Sequence, residues 1–312
     1  MANIKELSER IPERLSSGHR LCAGCGASIA VRQVLMGTEE PVVAVCATGC
    51  LEVATTIYPY TAWKIPFMHN AFENAASTIS GIETAYRALK KKGKIKKEIK
   101  FIAFGGDGGT YDIGLQALSG ALERGHNFVY VCYTNEAYMN TGVQRSGATP
   151  KGASTTTAPA GKVIPGKVQF RKDLTAIVAA HRIPYVAQGT ISHWNDLVTK
   201  AQKAFNVEGP AFINVLAMCH RGWCFPQEDT VKIAKLAVET GYWPLIEVEE
   251  GIWRFTHKPK ERKPIEEFLK TQGRFKHLFK EENKHIIAEI QKEIDNNWAR
   301  LEHLCEASCK IA

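Results

Sequence analysis

The segment GGDGGT (residues 105–110) sets one carboxylate, Asp107, among glycines. It follows an apolar run typical of a buried strand and precedes a helical pattern. Glycines let a ligand approach the backbone closely, and the free N–H groups at a helix N-terminus attract phosphate. The segment therefore indicates a phosphate-binding turn built around a carboxylate, although an ordinary Asp-Gly turn would have the same sequence.

A second polar residue, Asn135, ends the next apolar run, NFVYVCYTN (residues 127–135). A strand–helix–strand unit with a right-handed crossover returns its second strand parallel to the first, so Asp107 and Asn135 are expected at one sheet edge. Open α/β sheets bind their ligands at that edge. A carboxylate, an amide oxygen and a backbone carbonyl just beyond Asn135 would suit Mg²⁺, which usually completes its shell with phosphates and water.

The chain contains nine cysteines. Its polar N-terminal segment lacks the apolar core of a signal peptide, which predicts a cytoplasmic location, where disulfides are rare and metal binding is a better explanation. Cys22 and Cys25 form a C-x-x-C among glycines (CAGCG), and backbone N–H groups there could tune an iron–sulfur cluster. A redox dithiol, half of a zinc site or two ordinary thiols would show the same spacing.

The elements that must position these residues alternate between apolar β-type runs and helical patterns. This alternation predicts an α/β fold with a mostly parallel sheet and helices on both faces. The predicted strands cover residues 41–49, 99–106, 127–135, 184–189 and 211–218, and the predicted helices cover residues 71–91, 112–124, 173–181 and 194–205. Asp112 is expected as the N-cap of the second helix and Gly125 as its C-terminal cap.

Two regions fall outside this alternation. Residues 141–167 are rich in Gly, Ser, Thr and Pro, and a loop of that length is usually functional or disordered. From about Gln227 the pattern changes to helices and charges, including a final helix over residues 281–306. We therefore expect one α/β domain over residues 1–226. A mainly helical C-terminal extension over residues 227–312 would pack on this core or on a partner.

Three segments together resemble one protein family. They are GGDGGTYDIGLQALSGALERGHN (residues 105–127), NEAYMNTGVQRSGATPKGASTTTAPAGK (residues 135–162) and CAGCG. They closely resemble the β subunits of pyruvate:ferredoxin oxidoreductase and related 2-oxoacid:ferredoxin oxidoreductases, over roughly residues 15–225. The resemblance implies the thiamine diphosphate-binding fold, specifically its diphosphate-type domain.

The resemblance also implies roles for individual residues. The metal ligands would be Asp107, the Asn135 side chain and the Ala137 carbonyl, holding Mg²⁺. Gly106 and Gly108 would flank the diphosphate. Thr48 and Gly49, next to Cys50, could contact the thiazolium side. Asn140, the catalytic candidate, would lie against the thiazolium near the bond being broken.

Members of this family carry one [4Fe–4S] cluster on this subunit. The ligands correspond to Cys22, Cys25, Cys50 and Cys219, while Cys224 remains open as the fourth ligand in place of Cys219. Oxidative thiamine chemistry needs a one-electron acceptor nearby, which a cluster provides and zinc does not. The other cysteines are expected to be core or incidental thiols: Cys46, Cys132, Cys305 and Cys309.

The implied reaction converts a 2-oxoacid, coenzyme A and oxidised ferredoxin into acyl-CoA, CO₂ and reduced ferredoxin, with pyruvate as the default substrate. Pyruvate-type members commonly carry Asp immediately before the metal-binding Asn, where this chain has Thr134. Oxalate, which would give only CO₂ without coenzyme A, therefore stays open, as do branched or longer oxoacids. A non-catalytic electron-transfer or scaffold subunit is the alternative of another class. A non-redox thiamine decarboxylase would not need the cysteine set.

Partners are expected to complete the enzyme. The sequence offers no second domain for the aminopyrimidine and no C-x₂-C-x₂-C-x₃-C run, so other subunits would supply that domain and further clusters. The net charge of +8 fits either simple solubility or a positive face for an acidic partner such as ferredoxin. Dispersed Lys and Arg residues argue against nucleic acid, and the lack of long apolar runs argues against a membrane span.

Overall fold

The computed structural model describes residues 4–310, and its centre is one eight-stranded sheet. In chain order the strands are β1 (Val42–Ala47), β2 (Phe67–Asn70), β3 (Lys100–Gly106), β4 (Val129–Thr134), β5 (Tyr185–Thr190), β6 (Ala211–Leu216), β7 (Leu245–Glu249) and β8 (Ile252–His257). Their order across the sheet is β2-β1-β3-β4-β6-β5-β7-β8. Pairing is parallel from β2 to β5, whereas β7 and β8 are antiparallel to their neighbours.

Helices cover both faces of the sheet. The α-helices are α1 (Ile4–Arg10), α2 (Gly26–Leu35), α3 (Cys50–Thr55), α4 (Ala75–Lys91), α5 (Leu115–Glu123), α6 (Leu174–Ala179), α7 (Trp194–Asn206), α8 (His220–Trp223), α9 (Thr230–Glu239), α10 (Ile265–Leu269) and α11 (Lys284–Cys309). Side chains of α2, α7, α9 and α11 contribute to one hydrophobic layer, and those of α4, α5 and α6 to the other. Alternate residues of β3 enter opposite layers, since neighbouring side chains on a strand point to opposite faces. The predicted fold class is confirmed.

The sequence does not predict three of the strands. β2 lies at the sheet edge and is only four residues long, so it offers too short a pattern to separate from the helix that follows. That helix begins at Ala75 rather than at residue 71. β7 and β8 lie in the region where the sequence predicts mainly helices, and they extend the sheet beyond β5. The C-terminal extension therefore shares the main sheet.

The predicted N-cap at Asp112 is wrong. The chain leaves β3 directly into a π-helix (Gly108–Ile113), and α5 follows from Leu115. The Asp112 carboxylate instead accepts the N–H of Gly147 at 2.7 Å and pairs with Lys172 at 2.6 Å. Asp112 therefore ties the long loop to the helix, while Gly125 ends α5 with a positive φ of 67° as expected.

The long loop and the last helix are both well packed. Residues 135–173 contain no helix or regular strand, yet Ser146, Thr149 and Ala153 are fully buried or nearly so. Helix α11 buries the predicted stripe of Ile286, Ile290 and Ile294. Within residues 4–310, none of the helices combines the length and apolarity that crossing a membrane requires.

Candidate functional site

Asp107 and Asn135 lie side by side at the carboxyl edge of the sheet. They directly follow β3 and β4, which pair in parallel, so both chains leave the sheet at the same level. The backbone N–H groups of Asn135 and Glu136 donate to Asp107 Oδ1 at 3.0 and 3.1 Å. The Ser146 hydroxyl donates to Asp107 Oδ2. The carboxylate is thus fixed between two strand ends and the long loop.

The Asn135 side chain brings a third polar group to this point. One heteroatom of its amide lies 3.0 Å from both Asp107 Oδ1 and the carbonyl oxygen of Ala137. If that atom is nitrogen, it donates to both oxygens; if it is oxygen, three oxygens converge and need a cation. Carboxylate, amide and carbonyl oxygens are ligands that Mg²⁺ accepts, so the donor set fits this ion. The three residues predicted as metal ligands are therefore adjacent.

Burial controls the electrostatics of Asp107. Its side chain is fully buried, and burial raises the pKa of the carboxyl to about 7, despite the opposing hydrogen bond from Ser146 and the N–H of Asn135. An unpaired buried carboxylate is costly, and a bound cation offsets that cost. Asp107 thus lies under the floor of the site, with the ends of Asn135 and Ala137 above it.

A pocket opens above this floor, and we call it the glycine pocket. It is lined by Thr48, Gly49, Cys50, Phe72, Gly106, Gly108, Gly109, Tyr133, Asn135, Ala137, Tyr138, Met139 and Asn140. The space is tight: a Cβ on Gly108 would lie 2.4 Å from the Tyr138 ring. Every predicted cofactor contact except Asp107 faces this one pocket.

Four cysteines line a second pocket, which we call the cysteine pocket. Cys50 begins α3 after β1, and Cys219 follows β6, so the same sheet edge brings them together. Cys22 and Cys25 arrive on the N-terminal loop. Gly26 anchors that loop, because its N–H donates to the Met218 carbonyl at 3.1 Å and a Cβ there would meet Met218 N at 2.6 Å.

The thiols influence one another. Burial raises the pKa of Cys50 to about 12, with further contributions from Cys219, Cys25 and Cys22. Burial likewise raises the pKa of Cys25 and of Cys219. Over residues 4–310, no three His, Cys, Asp or Glu side chains are arranged to hold a metal ion. Cys22, Cys25, Cys50 and Cys219 nevertheless line one common pocket.

The remaining cysteines lie elsewhere. Cys224 is exposed, has a φ of 58° and does not line the cysteine pocket; its thiol donates to the Arg221 carbonyl at 3.5 Å. Cys46 and Cys132 are fully buried in strands, as predicted. Cys305 and Cys309 lie on α11. Cys219 therefore lies with Cys22, Cys25 and Cys50, whereas Cys224 does not.

The two pockets adjoin each other. Cys50, Asn135 and Asn140 line both of them, so a group in one would lie across a single layer of side chains from a group in the other. Asn140 is exposed at this junction. Thr134 is different: its side chain is fully buried and donates to Asn214 Oδ1 at 2.7 Å, outside both pockets. Thr134 therefore lines neither the glycine pocket nor the cysteine pocket.

Sequence reasoning missed several residues that support the site. Ser146 contacts Asp107 from the long loop, and buried Lys167 holds that loop by donating to the carbonyls of Ser146 at 3.4 Å and Thr149 at 2.5 Å. The Trp223 indole N–H donates to the Asn135 carbonyl at 2.8 Å. These contacts join distant segments, and the only signal in the sequence is the unusual length of the loop.

Comparison with known families and relatives finds matches over most of the chain. The family "Thiamine pyrophosphate enzyme, C-terminal TPP binding domain" matches residues 47–215. Pyruvate synthase subunit PorB of Thermotoga maritima is 56% identical over 309 residues, covering 96% of this chain and 95% of the relative. PorB of Methanocaldococcus jannaschii is 55% identical, covering 91% and 94%. Ketoisovalerate oxidoreductase subunit VorB of Pyrococcus abyssi is 44% identical, covering 97% and 96%.

One solved structure is similar to this chain in its fold only. It is the 2-oxoglutarate:ferredoxin oxidoreductase from Magnetococcus marinus, with a TM-score of 0.53, 20% sequence identity and 66% of each chain covered. At that identity the similarity concerns the arrangement of strands and helices.

Proposed function

Since this chain belongs to the β-subunit family of the 2-oxoacid:ferredoxin oxidoreductases, we propose that it binds thiamine diphosphate in the glycine pocket and a [4Fe–4S] cluster in the cysteine pocket. Its enzyme would oxidatively decarboxylate a 2-oxoacid. The observation that carries this proposal is the common wall of Cys50, Asn135 and Asn140 between the two pockets. An oxidative decarboxylation whose electrons leave one at a time needs an electron acceptor beside the reacting centre, and adjoining pockets would provide that proximity.

The cofactor would be held through its diphosphate. Asp107, the Asn135 amide oxygen and the Ala137 carbonyl would bind Mg²⁺, and the diphosphate would complete the metal shell. Gly106 and Gly108 would let the diphosphate approach the backbone closely. The support is that one heteroatom of the Asn135 amide lies 3.0 Å from both Asp107 Oδ1 and the Ala137 carbonyl oxygen, and that Gly106 and Gly108 line the pocket.

Bound thiamine diphosphate would supply the carbanion-stabilising chemistry that loss of the 2-oxoacid carboxylate as CO₂ needs. This chain would position the reactants for that step. The exposed Asn140 would contact the substrate beside the breaking bond, while Thr48 and Gly49 would bound the thiazolium side. Cys50, on the common wall, would bring the cluster close to the reacting centre, with Cys22, Cys25 and Cys219 as its other ligands.

Pyruvate is the proposed substrate. It would react with coenzyme A and two oxidised ferredoxins to give acetyl-CoA, CO₂, two reduced ferredoxins and a proton. The support is the pyruvate synthase naming of relatives that match nearly the whole chain. Oxalate and branched oxoacids are alternatives, and a relative named for ketoisovalerate keeps the second of them open.

The experiment is an anaerobic assay of the purified enzyme complex with pyruvate, ketoisovalerate, 2-oxoglutarate and oxalate, each with and without coenzyme A. Ferredoxin or viologen reduction is the readout. We expect the highest kcat/KM for pyruvate and dependence on coenzyme A. Turnover of oxalate without coenzyme A would identify oxalate, in place of pyruvate, as the substrate. The absence of turnover with any of the acids would refute the proposed reaction.

We expect the chain purified alone to show neither decarboxylation nor ferredoxin reduction. Partner subunits are proposed to supply the aminopyrimidine-binding domain and further clusters, so the isolated chain would hold only part of the catalytic machinery. The measurement is pyruvate-dependent viologen reduction by the chain before and after adding its partner subunits. Full activity of the chain alone would contradict the proposed division of labour.

We expect Gly108→Ala to weaken thiamine diphosphate binding about 10- to 100-fold, because the new methyl group overpacks a filled site. Its Cβ would lie 2.4 Å from the Tyr138 ring, which lines the pocket. Titration calorimetry of the enzyme complex with thiamine diphosphate and Mg²⁺ measures the change. Gly81→Ala is the matched control, since that position in α4 is open within 4 Å and alanine favours a helix. Wild-type affinity of the Gly108 variant would contradict the assignment.

A further inference from the structure

Glu136 is a buried carboxylate between two of the proposed metal ligands. It separates Asn135 from Ala137, its side chain has no exposed surface, and its φ is 67°. That left-handed conformation is unfavourable for a residue with a Cβ and persists only where the surroundings enforce it.

The groups that enforce this conformation come largely from the C-terminal extension. Arg274 donates to Glu136 Oε2 at 2.5 Å, and the Tyr242 hydroxyl donates to Oε1 at 2.5 Å. Arg171, from the segment before α6, lies 3.4 Å from Oε1. The Thr149 hydroxyl holds the backbone by donating to the Glu136 carbonyl at 2.6 Å. Both carboxylate oxygens and the main chain are therefore fixed.

These partners are themselves rigidly held. Arg274 also donates to Gln272 Oε1 and stacks on the Trp223 ring, 3.8 Å from its centroid. Trp223 in turn donates to the Asn135 carbonyl at 2.8 Å. Arg274 therefore contacts Glu136 directly and contacts Asn135 indirectly, through Trp223. Such a buried, fully bonded network fixes one geometry because any other would leave charges unpaired.

We propose that Glu136 is a positioning residue for the metal-binding loop, held by Arg274 and Tyr242 so that Asn135 and Ala137 present their oxygens to Mg²⁺. This inference rests on the proposed function, because it assumes that these two residues bind the metal. It assigns the C-terminal extension a role in the cofactor site, although Arg274 and Tyr242 line neither pocket. Groups of this kind, which orient metal ligands, typically change metal affinity 10- to 100-fold when altered.

The test compares three full-length variants in the enzyme complex. Glu136→Gln removes the charge, and Tyr242→Phe removes one hydrogen bond while keeping the ring. Tyr185→Phe is the matched control, because the buried Tyr185 hydroxyl donates to Glu247 Oε2 at a distance of 2.9 Å. Neither residue lines the glycine pocket or the cysteine pocket. The measurements are the dissociation constant for Mg²⁺ at saturating thiamine diphosphate, by calorimetry, and the Tm of each cofactor-free complex.

We expect Glu136→Gln to raise the Mg²⁺ dissociation constant about 10- to 100-fold and Tyr242→Phe to raise it about tenfold, with Tyr185→Phe unchanged. Lower Tm values with wild-type Mg²⁺ affinity would overturn the inference, since a merely structural role moves Tm alone. If Glu136→Gln does not fold, Tyr242→Phe decides. If the wild-type enzyme binds no Mg²⁺, the proposed function itself is refuted. If the wild type binds Mg²⁺ and Tyr242→Phe binds it with the same dissociation constant, only the positioning role is refuted.

Discussion

An enzyme complex carrying Asp107→Asn is expected to lose Mg²⁺-dependent thiamine diphosphate binding and to retain less than about 1% of its turnover. Substituting a residue that hydrogen-bonds to a metal ligand typically lowers metal affinity or activity by up to about 100-fold. Substituting the ligand itself should lower them further. The amide is a poor substitute because it lacks the negative charge that a divalent cation requires. Asp107 is the only charged group among the three proposed ligands, so its loss removes most of the attraction.

The fold should survive this change. The amide oxygen of asparagine can still accept the N–H groups of Asn135 and Glu136, which donate to Asp107 Oδ1 at 3.0 and 3.1 Å. The Ser146 hydroxyl can rotate to accept from the new NH₂ group. Burial already disfavours the charged carboxylate, raising its pKa to about 7. We therefore expect a cofactor-free Tm close to that of the wild type.

The measurements are calorimetric titration with Mg²⁺ and thiamine diphosphate, Tm, and ferredoxin reduction by the same preparation. Asp173→Asn serves as the control, since that carboxylate caps α6 by accepting the Ala176 N–H at 3.1 Å and asparagine caps equally well. Undiminished Mg²⁺ affinity and turnover in the Asp107 variant would leave the non-catalytic scaffold as the better explanation.

The sequence is sufficient to predict the part of the site that depends on chain direction. Parallel strands must end at one edge, so residues after β3 and β4 meet whatever the rest of the chain does. Asp107 and Asn135 follow from that rule. Asp112 shows its limit: the N-cap expected from a local pattern gives way to a π-helix, because the carboxylate bonds to Gly147 and Lys172 of distant segments.

The support around the site could not be predicted in this way. Glu136 reads as an ordinary surface residue, and its burial depends on Arg274 and Tyr242, which lie more than a hundred residues later. The two added strands, β7 and β8, extend the sheet beyond β5; Tyr242 lies just before them in the chain and Arg274 lies after them. Such contacts arise from tertiary packing, for which short-range patterns contain no signal.

The fourth cysteine is the second assignment on which a large effect depends. We expect Cys219→Ser to reduce iron from about four atoms per chain to below about one, with loss of the visible cluster absorbance. Cys224→Ser should keep both. Cys219 lines the pocket with Cys22, Cys25 and Cys50, and its sulfur accepts the Gly222 N–H at 3.4 Å, a contact that suits a thiolate ligand.

Cys224 is a suitable matched control because it lies only five positions away along the chain yet faces elsewhere. Its backbone carbonyl accepts the Gly273 N–H at 3.0 Å, and a Cβ on Gly273 would lie 2.7 Å from the Cys224 Cβ. These contacts hold Cys224 against the segment of the extension that begins at Gly273. Cys224 directly follows α8 in a left-handed conformation, with a φ of 58°.

The measurement is iron and zinc content together with the visible spectrum of anaerobically purified complex. Loss of iron in Cys224→Ser with retention in Cys219→Ser would reverse the assignment. A colourless wild type with stoichiometric zinc would refute the cluster itself. Both outcomes differ from the effect of Asp107→Asn, which should leave the iron content unchanged, because Asp107 is buried beneath the glycine pocket and does not line the cysteine pocket. The two cofactors can therefore be removed one at a time, and each removal should stop turnover by itself.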